Sequence, residues 1–208
     1  MKRLLRFLHY SPTTAGFTIV ELIIAMVVTS IMITLAGYGL TTMLRANQQS
    51  GSEISRRANL NRALDFMADE VRMARTITVP TSTDVPSQSC GPTTGVMTLV
   101  MPDSSRIVYY VHEINGCSGN LWTATTIRRR VVGGADTLLV DALTAPSAMP
   151  SGCTATTQTL RGTNGFYACL DSANTQLVTL FLYGRLTDAR GNTTGTYPVS
   201  GQASARSF

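Results

Sequence analysis

The sequence predicts an α+β fold in which one long N-terminal helix, membrane-length in its first half and amphipathic in its second, packs on an antiparallel β-sheet. Three observations predict it. Residues 22–44 form a run of 23 without a charged side chain, long enough to cross a bilayer. Ile54, Ala58, Leu64, Val71, Ala74 and Ile77 then recur near one helical face. Beyond Pro80 the chain becomes rich in Ser, Thr and Gly and breaks into short β-branched runs.

The first element is basic. Lys2, Arg3 and Arg6 lie in residues 1–10, followed by the small polar link Ser11-Pro12-Thr13-Thr14-Ala15-Gly16. The formal net charge of +5 suggests a polyanion partner until these three are set aside: 5 minus 3 leaves +2, too small to argue for one. Glu21 stands at the head of the apolar run, four residues past Phe17. A carboxylate in lipid costs roughly 2–4 kcal/mol, so it requires a partner. One reading is a secretory signal with a tolerated acid, cut after Ala36 in Thr34-Leu35-Ala36. The length of the run, the Gly16-Phe17 junction and the offset of the acid argue against it.

Gly16-Phe17-Thr18-Ile19-Val20-Glu21 resembles the processing site of type IV pilins and type II secretion pseudopilins. The resemblance implies a leader of residues 1–16, cut after Gly16 by prepilin peptidase, and N-methylation of Phe17. It also implies a role for Glu21 in assembly, pairing with the Phe17 amine of a neighbouring subunit. The implied partners are other pilins or pseudopilins and the inner-membrane assembly machinery. The implied place is the bacterial inner membrane, with a single span, the leader cytoplasmic and the head extracytoplasmic, and later the pilus or pseudopilus. Charge alone decides orientation poorly, because Arg45, Arg56 and Arg57 follow the run.

The spanning part of the helix covers residues 17–44, and the amphipathic part continues over 45–79 until Val79-Pro80 ends it. Its polar side carries Glu53 with Arg57, Arg62 with Asp65 and Asp69 with Arg72 at helix-surface spacing. Gly37 and Gly39 invite either local melting on assembly, at about 1 kcal/mol each relative to Ala, or close helix packing. Residues 61–74 resemble the PilW and J-type minor subunits.

Residues 80–208 read as a β-rich, disulfide-bearing head. A Ser/Thr/Pro/Gly loop over 81–95 holds Cys90. Strands are expected over 96–101 and 106–114 around Pro102-Asp103-Ser104-Ser105, over 121–132, 137–143 and 177–187, with an edge strand in the tail. Residues 145–171 are expected to be a second disulfide-bearing loop. Cys90, Cys117, Cys153 and Cys169 match no metal spacing and point to two disulfides in an oxidising compartment. Three connectivities are open; sequence neighbours, Cys90 with Cys117 and Cys153 with Cys169, meet most easily.

Signals for chemistry are sparse. No catalytic residue, metal site or cofactor is expected. His112 is the only histidine outside the leader, and a strand histidine is usually a surface residue or a satisfied core one. Asp69 and Glu70 are adjacent on a helix and read as a solvated face; Asp136 and Asp141 are separated. Arg128-Arg129-Arg130 raises DNA binding, but a strand sends its members to alternate faces and no aromatic platform accompanies them. The expected function is that of a minor pilin or pseudopilin in filament initiation or tip assembly. The alternatives are a J-type type II secretion pseudopilin and, from another class, a membrane-tethered extracytoplasmic enzyme or binding domain.

Overall fold

In the computed structural model the described residues are 16–114, 125–153, 155–188 and 192–206. They form one helix and nine strands and divide at Ala46/Asn47 into two compact units. The architecture is α+β and pilin-like, a long N-terminal apolar helix followed by a curled antiparallel sheet.

Helix α1 runs Ile19–Met73. Through residue 46 its apolar side chains, Ile23, Ile24, Ile33 and Leu35 among them, are exposed. It is long and apolar enough to cross a membrane. The hydroxyls of Thr29, Ser30, Thr34, Thr41 and Thr42 donate to backbone carbonyls three or four residues back, so none is left unsatisfied in lipid.

From Asn47 onward the helix lies in the second unit. There Leu60, Ala63, Leu64, Met67, Val71 and Ala74 follow the 3.6-residue period and are buried. Fully burying a side chain such as Leu60 or Met67 contributes about 1.5–3 kcal/mol. The expected face is corrected at one end, because Ile54 is exposed.

The helix also ends earlier than the expected residue 79. The amide of Ala74 donates to Glu70 and Val71, and that of Arg75 already donates to Val100, so the backbone passes from helix to sheet ladder. Thr76–Thr78 is a strand, β1, with Ile77 buried. Its β-branched residues suit a pleated surface.

The remaining strands are β2 (Thr93–Val100), β3 (Arg106–Glu113), β4 (Thr125–Val131), β5 (Asp136–Leu143), β6 (Gln158–Thr163), β7 (Phe166–Asp171), β8 (Leu177–Thr187) and β9 (Thr193–Ser204). All pairings are antiparallel, in the order β1-β2-β3-β4-β5-β8-β7-β6, with β9 on the other edge of β8. β5 meets β8 at a single pair, Leu143 with Gly184. The Ile77 amide donates to the Thr175 carbonyl at 2.7 Å, which brings β1 against the β7–β8 turn and curls the sheet. The core lies between the helix and the concave face, where Val96, Leu99, Tyr109, Ile127, Phe166, Leu180 and Leu182 meet the helix residues.

The reading of residues 145–171 as a loop is overturned, since β6 and β7 form a hairpin there. Asn164 (φ 42°) and Gly165 (φ 102°) make its two-residue turn, which calls for positive φ at both positions. A Cβ on Gly165 would lie 2.6 Å from the Thr144 carbonyl oxygen, so the close approach also requires glycine. Cys153 and Cys169 are joined as expected, with Cα atoms 5.6 Å apart. Cys90 is also disulfide-bonded, and its expected partner Cys117 lies outside the described residues, as do positions 121–124 of the strand expected over 121–132.

Candidate functional site

The segment that carries the strongest sequence signal begins ahead of the helix. Gly16, Phe17 and Thr18 precede the first helical residue, and Phe17 is 84% exposed. A Cβ on Gly16 would meet nothing within 4 Å, so this backbone lies open on the side where that group would point.

Thr18 and Glu21 close a reciprocal cap. The Glu21 amide donates to the Thr18 hydroxyl oxygen at 3.3 Å, while the Thr18 amide and hydroxyl both donate to Glu21 Oε2 at 3.3 Å. This is the Ser/Thr-x-x-Glu capping box, and it satisfies helix-start amides that have no intrahelical partner. The carboxylate also sits at the positive end of the helix dipole. Glu21 is therefore held by weak, exposed, local bonds and keeps an accessible oxygen for a cationic partner. From Leu22 to Leu44 no further charge interrupts the helix, a rise of about 34 Å at 1.5 Å per residue.

In the second unit several charged residues are engaged with one another. Glu70 is buried, which corrects its reading as part of a solvated face. Arg129 Nη2 donates to Glu70 Oε1 at 2.7 Å and Arg129 Nε donates to both oxygens at 2.9 and 3.0 Å, while the Tyr109 hydroxyl donates to Oε2. Burial, then the Glu70 carboxylate, push the Tyr109 hydroxyl pKa well above its ordinary value. The Glu70 hydrogen bond in turn raises Arg129 despite its burial. The Arg129 guanidinium also stands over the Phe66 ring at 6.0 Å. This triad ties the helix to β3 and β4.

Arg128 points the other way, with Nε 3.3 Å from both oxygens of Asp136, which also accepts from the Tyr110 hydroxyl at 2.7 Å. Burial, then Asp136, push Tyr110 up to about 12. Arg128 and Arg129 thus reach opposite faces, as strand alternation predicts, and each is committed to a carboxylate. Asp69 and Arg72 form an exposed ion pair.

His112 is 5% exposed, and neither ring nitrogen makes a hydrogen bond of normal geometry. It is neither the surface residue nor the satisfied core residue expected of it. No serine or cysteine nucleophile is bonded to it among the described residues. Nor, among those residues, do three His, Cys, Asp or Glu side chains gather in a metal-ligating group. Sequence reasoning missed the Glu70 triad, although Met67, Glu70, Val71 and Ala74 share the buried helical spacing.

A family model for the prokaryotic N-terminal methylation motif matches residues 12–37, a stretch that contains Gly16, Phe17, Thr18 and Glu21. No curated protein and no solved structure matches the chain.

Proposed function

We propose that this chain, type IV pilin-like by its methylation motif over residues 12–37, is a minor pilin or pseudopilin that helps initiate or cap a filament. The matched motif marks a structural family rather than a catalytic one, and with the apolar helix it fits a membrane-anchored single-pass pilin. The observation that carries the finer reading is Glu21, the only charge between Phe17 and Leu44, whose hydrogen bonds among the described residues go to Thr18.

In the proposed mechanism prepilin peptidase cuts after Gly16, and Phe17 becomes the methylated N-terminus. The new amine is cationic, and Glu21 of an incoming subunit exchanges its Thr18 bonds for that amine on a neighbour. Both charges lose water together, so the pair contributes register more than net stability. The Cys153–Cys169 disulfide supports an extracytoplasmic head, since such bonds persist in oxidising compartments. The proposed site is the bacterial inner membrane and then the pilus or pseudopilus, with other pilins and the assembly machinery as partners. The similarity of residues 61–74 to PilW and J-type subunits supports a minor subunit, with a J-type pseudopilin as the second reading.

Glu21→Val tests the mechanism in cells. The variant is expected to lose its leader normally yet to drop out of sheared filaments, while remaining in the membrane. Normal incorporation would remove Glu21 from assembly and leave the chain a tethered extracytoplasmic domain.

A further inference from the structure

The outer edge of β9 is open. Among the described residues β9 pairs with β8 and with no other strand. Its register fixes which backbone groups face outward. The Ala205 amide donates to the Gln176 carbonyl at 2.7 Å, and the Tyr183 amide and carbonyl are both engaged on the far side of β8, with Gly165 and Thr144. Hydrogen-bonded and non-hydrogen-bonded pairs alternate along an antiparallel ladder. Tyr197, Val199, Gly201 and Ala203 therefore turn their backbone groups to β8, whereas Thr196, Pro198, Ser200, Gln202 and Ser204 turn theirs outward. All five outward residues are exposed.

Proteins ordinarily blunt such an edge with charge, proline, bulges or brevity. The other edges of this sheet are treated so. β1 is three residues long and gives its Ile77 amide to Thr175, β5 has two register shifts against β4, and β6 is six residues long with Arg161 in its middle. β9 has twelve residues, no charged side chain, and an unbroken register from Gly195 to Ser204. Pro198 removes one outward donor and leaves those of Thr196, Ser200, Gln202 and Ser204.

Positive charge stands at both ends of this edge. Arg185 on β8 is the cross-strand partner of Thr196, and its Nε is buried without a hydrogen-bond partner. Arg206 follows β9 by two residues and is exposed. Asp188, the acid next along from Arg185, already accepts from the Asn192 amide and side chain. A second copy of this chain is a poor occupant. Antiparallel pairing of two β9 edges about Ser200 sets Thr196 of one copy opposite Ser204 of the other, which brings Arg206 toward the Arg185 end with like charge.

We propose that the outer edge of β9 docks an extended segment of a different polypeptide, which adds to the sheet as a further strand and sets an acidic side chain near each end, toward Arg185 and Arg206. Main-chain bonds to Thr196, Ser200, Gln202 and Ser204 supply the affinity, and the two arginines select the partner. From Thr196 to Ser204 the edge spans about 27 Å at 3.4 Å per residue, which sets the segment at about nine residues. Because both flanking charges are positive, a strand running in either direction meets the same requirement. The site belongs to the head and does not depend on the filament role proposed above.

The probe is a blocked peptide of about nine residues, alternating Thr and Val, with Glu at each end, and its twin has Lys at each end. Added at saturation to the full chain in detergent micelles, the Glu peptide is expected to slow exchange of the Thr196, Ser200, Gln202 and Ser204 amides about tenfold or more, read by NMR, with β3 unchanged. The Lys peptide is expected to bind at least about tenfold more weakly. Gln202→Pro removes an outward donor without touching the β8 ladder and is expected to weaken the Glu peptide about tenfold while head unfolding stays the same. Arg185→Glu with Arg206→Glu is expected to reverse the preference between the two peptides, which tests the site even where the proline variant fails to fold. Equal affinity for both peptides, binding of neither, an unreversed preference, or protection that falls outside β9 overturns the proposal. Self-association of the peptide-free chain that protects these same amides also overturns it, and makes a second copy the occupant.

Discussion

On one helix, Ile33 and Leu35 are 67% and 66% exposed while Leu60 and Met67 are fully buried. The first pair belongs to the unit that ends at Ala46, the second to the unit that begins at Asn47. Over residues 22–44 the sequence is uncharged and apolar all round, so no face is reserved for a core and the surroundings must supply one, as lipid or neighbouring helices do. From Asn47 the apolar residues narrow to a stripe, and the sheet of the same chain covers it. The difference separates two kinds of sensitivity. Substitutions in the first stretch should change insertion and assembly while leaving the head intact. Those in the second should change the stability of the head.

The sharpest break in that division comes at Glu70. Replacing it with Ala leaves Arg129 buried without its carboxylate, and such losses cost about 3–5 kcal/mol. Thermal or urea unfolding of the full chain in detergent should show the head transition displaced by that amount, with leader processing unchanged. An unshifted transition would mean that the triad does not hold the helix to the sheet.

Opening the Cys153–Cys169 bond comes next. It closes a loop with a sequence separation of 16, and removing a crosslink of that length costs about 3 kcal/mol in the chain-entropy account. Cys153→Ser with Cys169→Ser should therefore lower head stability while residues 19–46 retain their helicity.

A smaller effect belongs to the first stretch. Thr18→Ala removes the cap and should cost about 1 kcal/mol, confined to the first helical turn. Faster exchange at the Glu21 amide, without any change in head unfolding, would show it. At the bottom, Asp69→Ala breaks an exposed ion pair with Arg72 and should stay within about 0.5 kcal/mol. A larger loss would place Asp69 in the clamp beside Glu70.

The two regions also differed in how well they could be read. In the N-terminal segment the signals are local: a charge at one offset, a run of one length and a Gly-aromatic junction. None depends on a distant part of the chain. The α+β class and the β8 strand were equally plain, because Val178, Leu180, Leu182 and Leu186 alternate along Leu177–Thr187, and the first three are buried.

The misread elements depended on partners. Thr76–Thr78 continued the helical spacing through Ile77, and only its pairing with β2 makes it a strand. β7 is buried on both faces, so Phe166–Asp171 shows no alternation, and the Asn164-Gly165 turn was the available cue. Glu70 looked solvated beside Asp69, although it lies three residues beyond Met67 on the buried side. Its partners, Tyr109 and Arg129, are 39 and 59 residues away, beyond the reach of local pattern. The burial of His112 was likewise invisible in the sequence.

The central claim is that residues 1–16 are a leader and that the helix starts at a processed Phe17. Intact mass and N-terminal fragmentation of the chain, purified from its own membranes or from sheared filaments, test this directly. The account predicts a chain that begins at Phe17 and carries one added methyl group on the terminal amine. A chain that begins at Met1, or at Gly37 after a signal-peptidase cut, would contradict it and leave Glu21 without the partner proposed here.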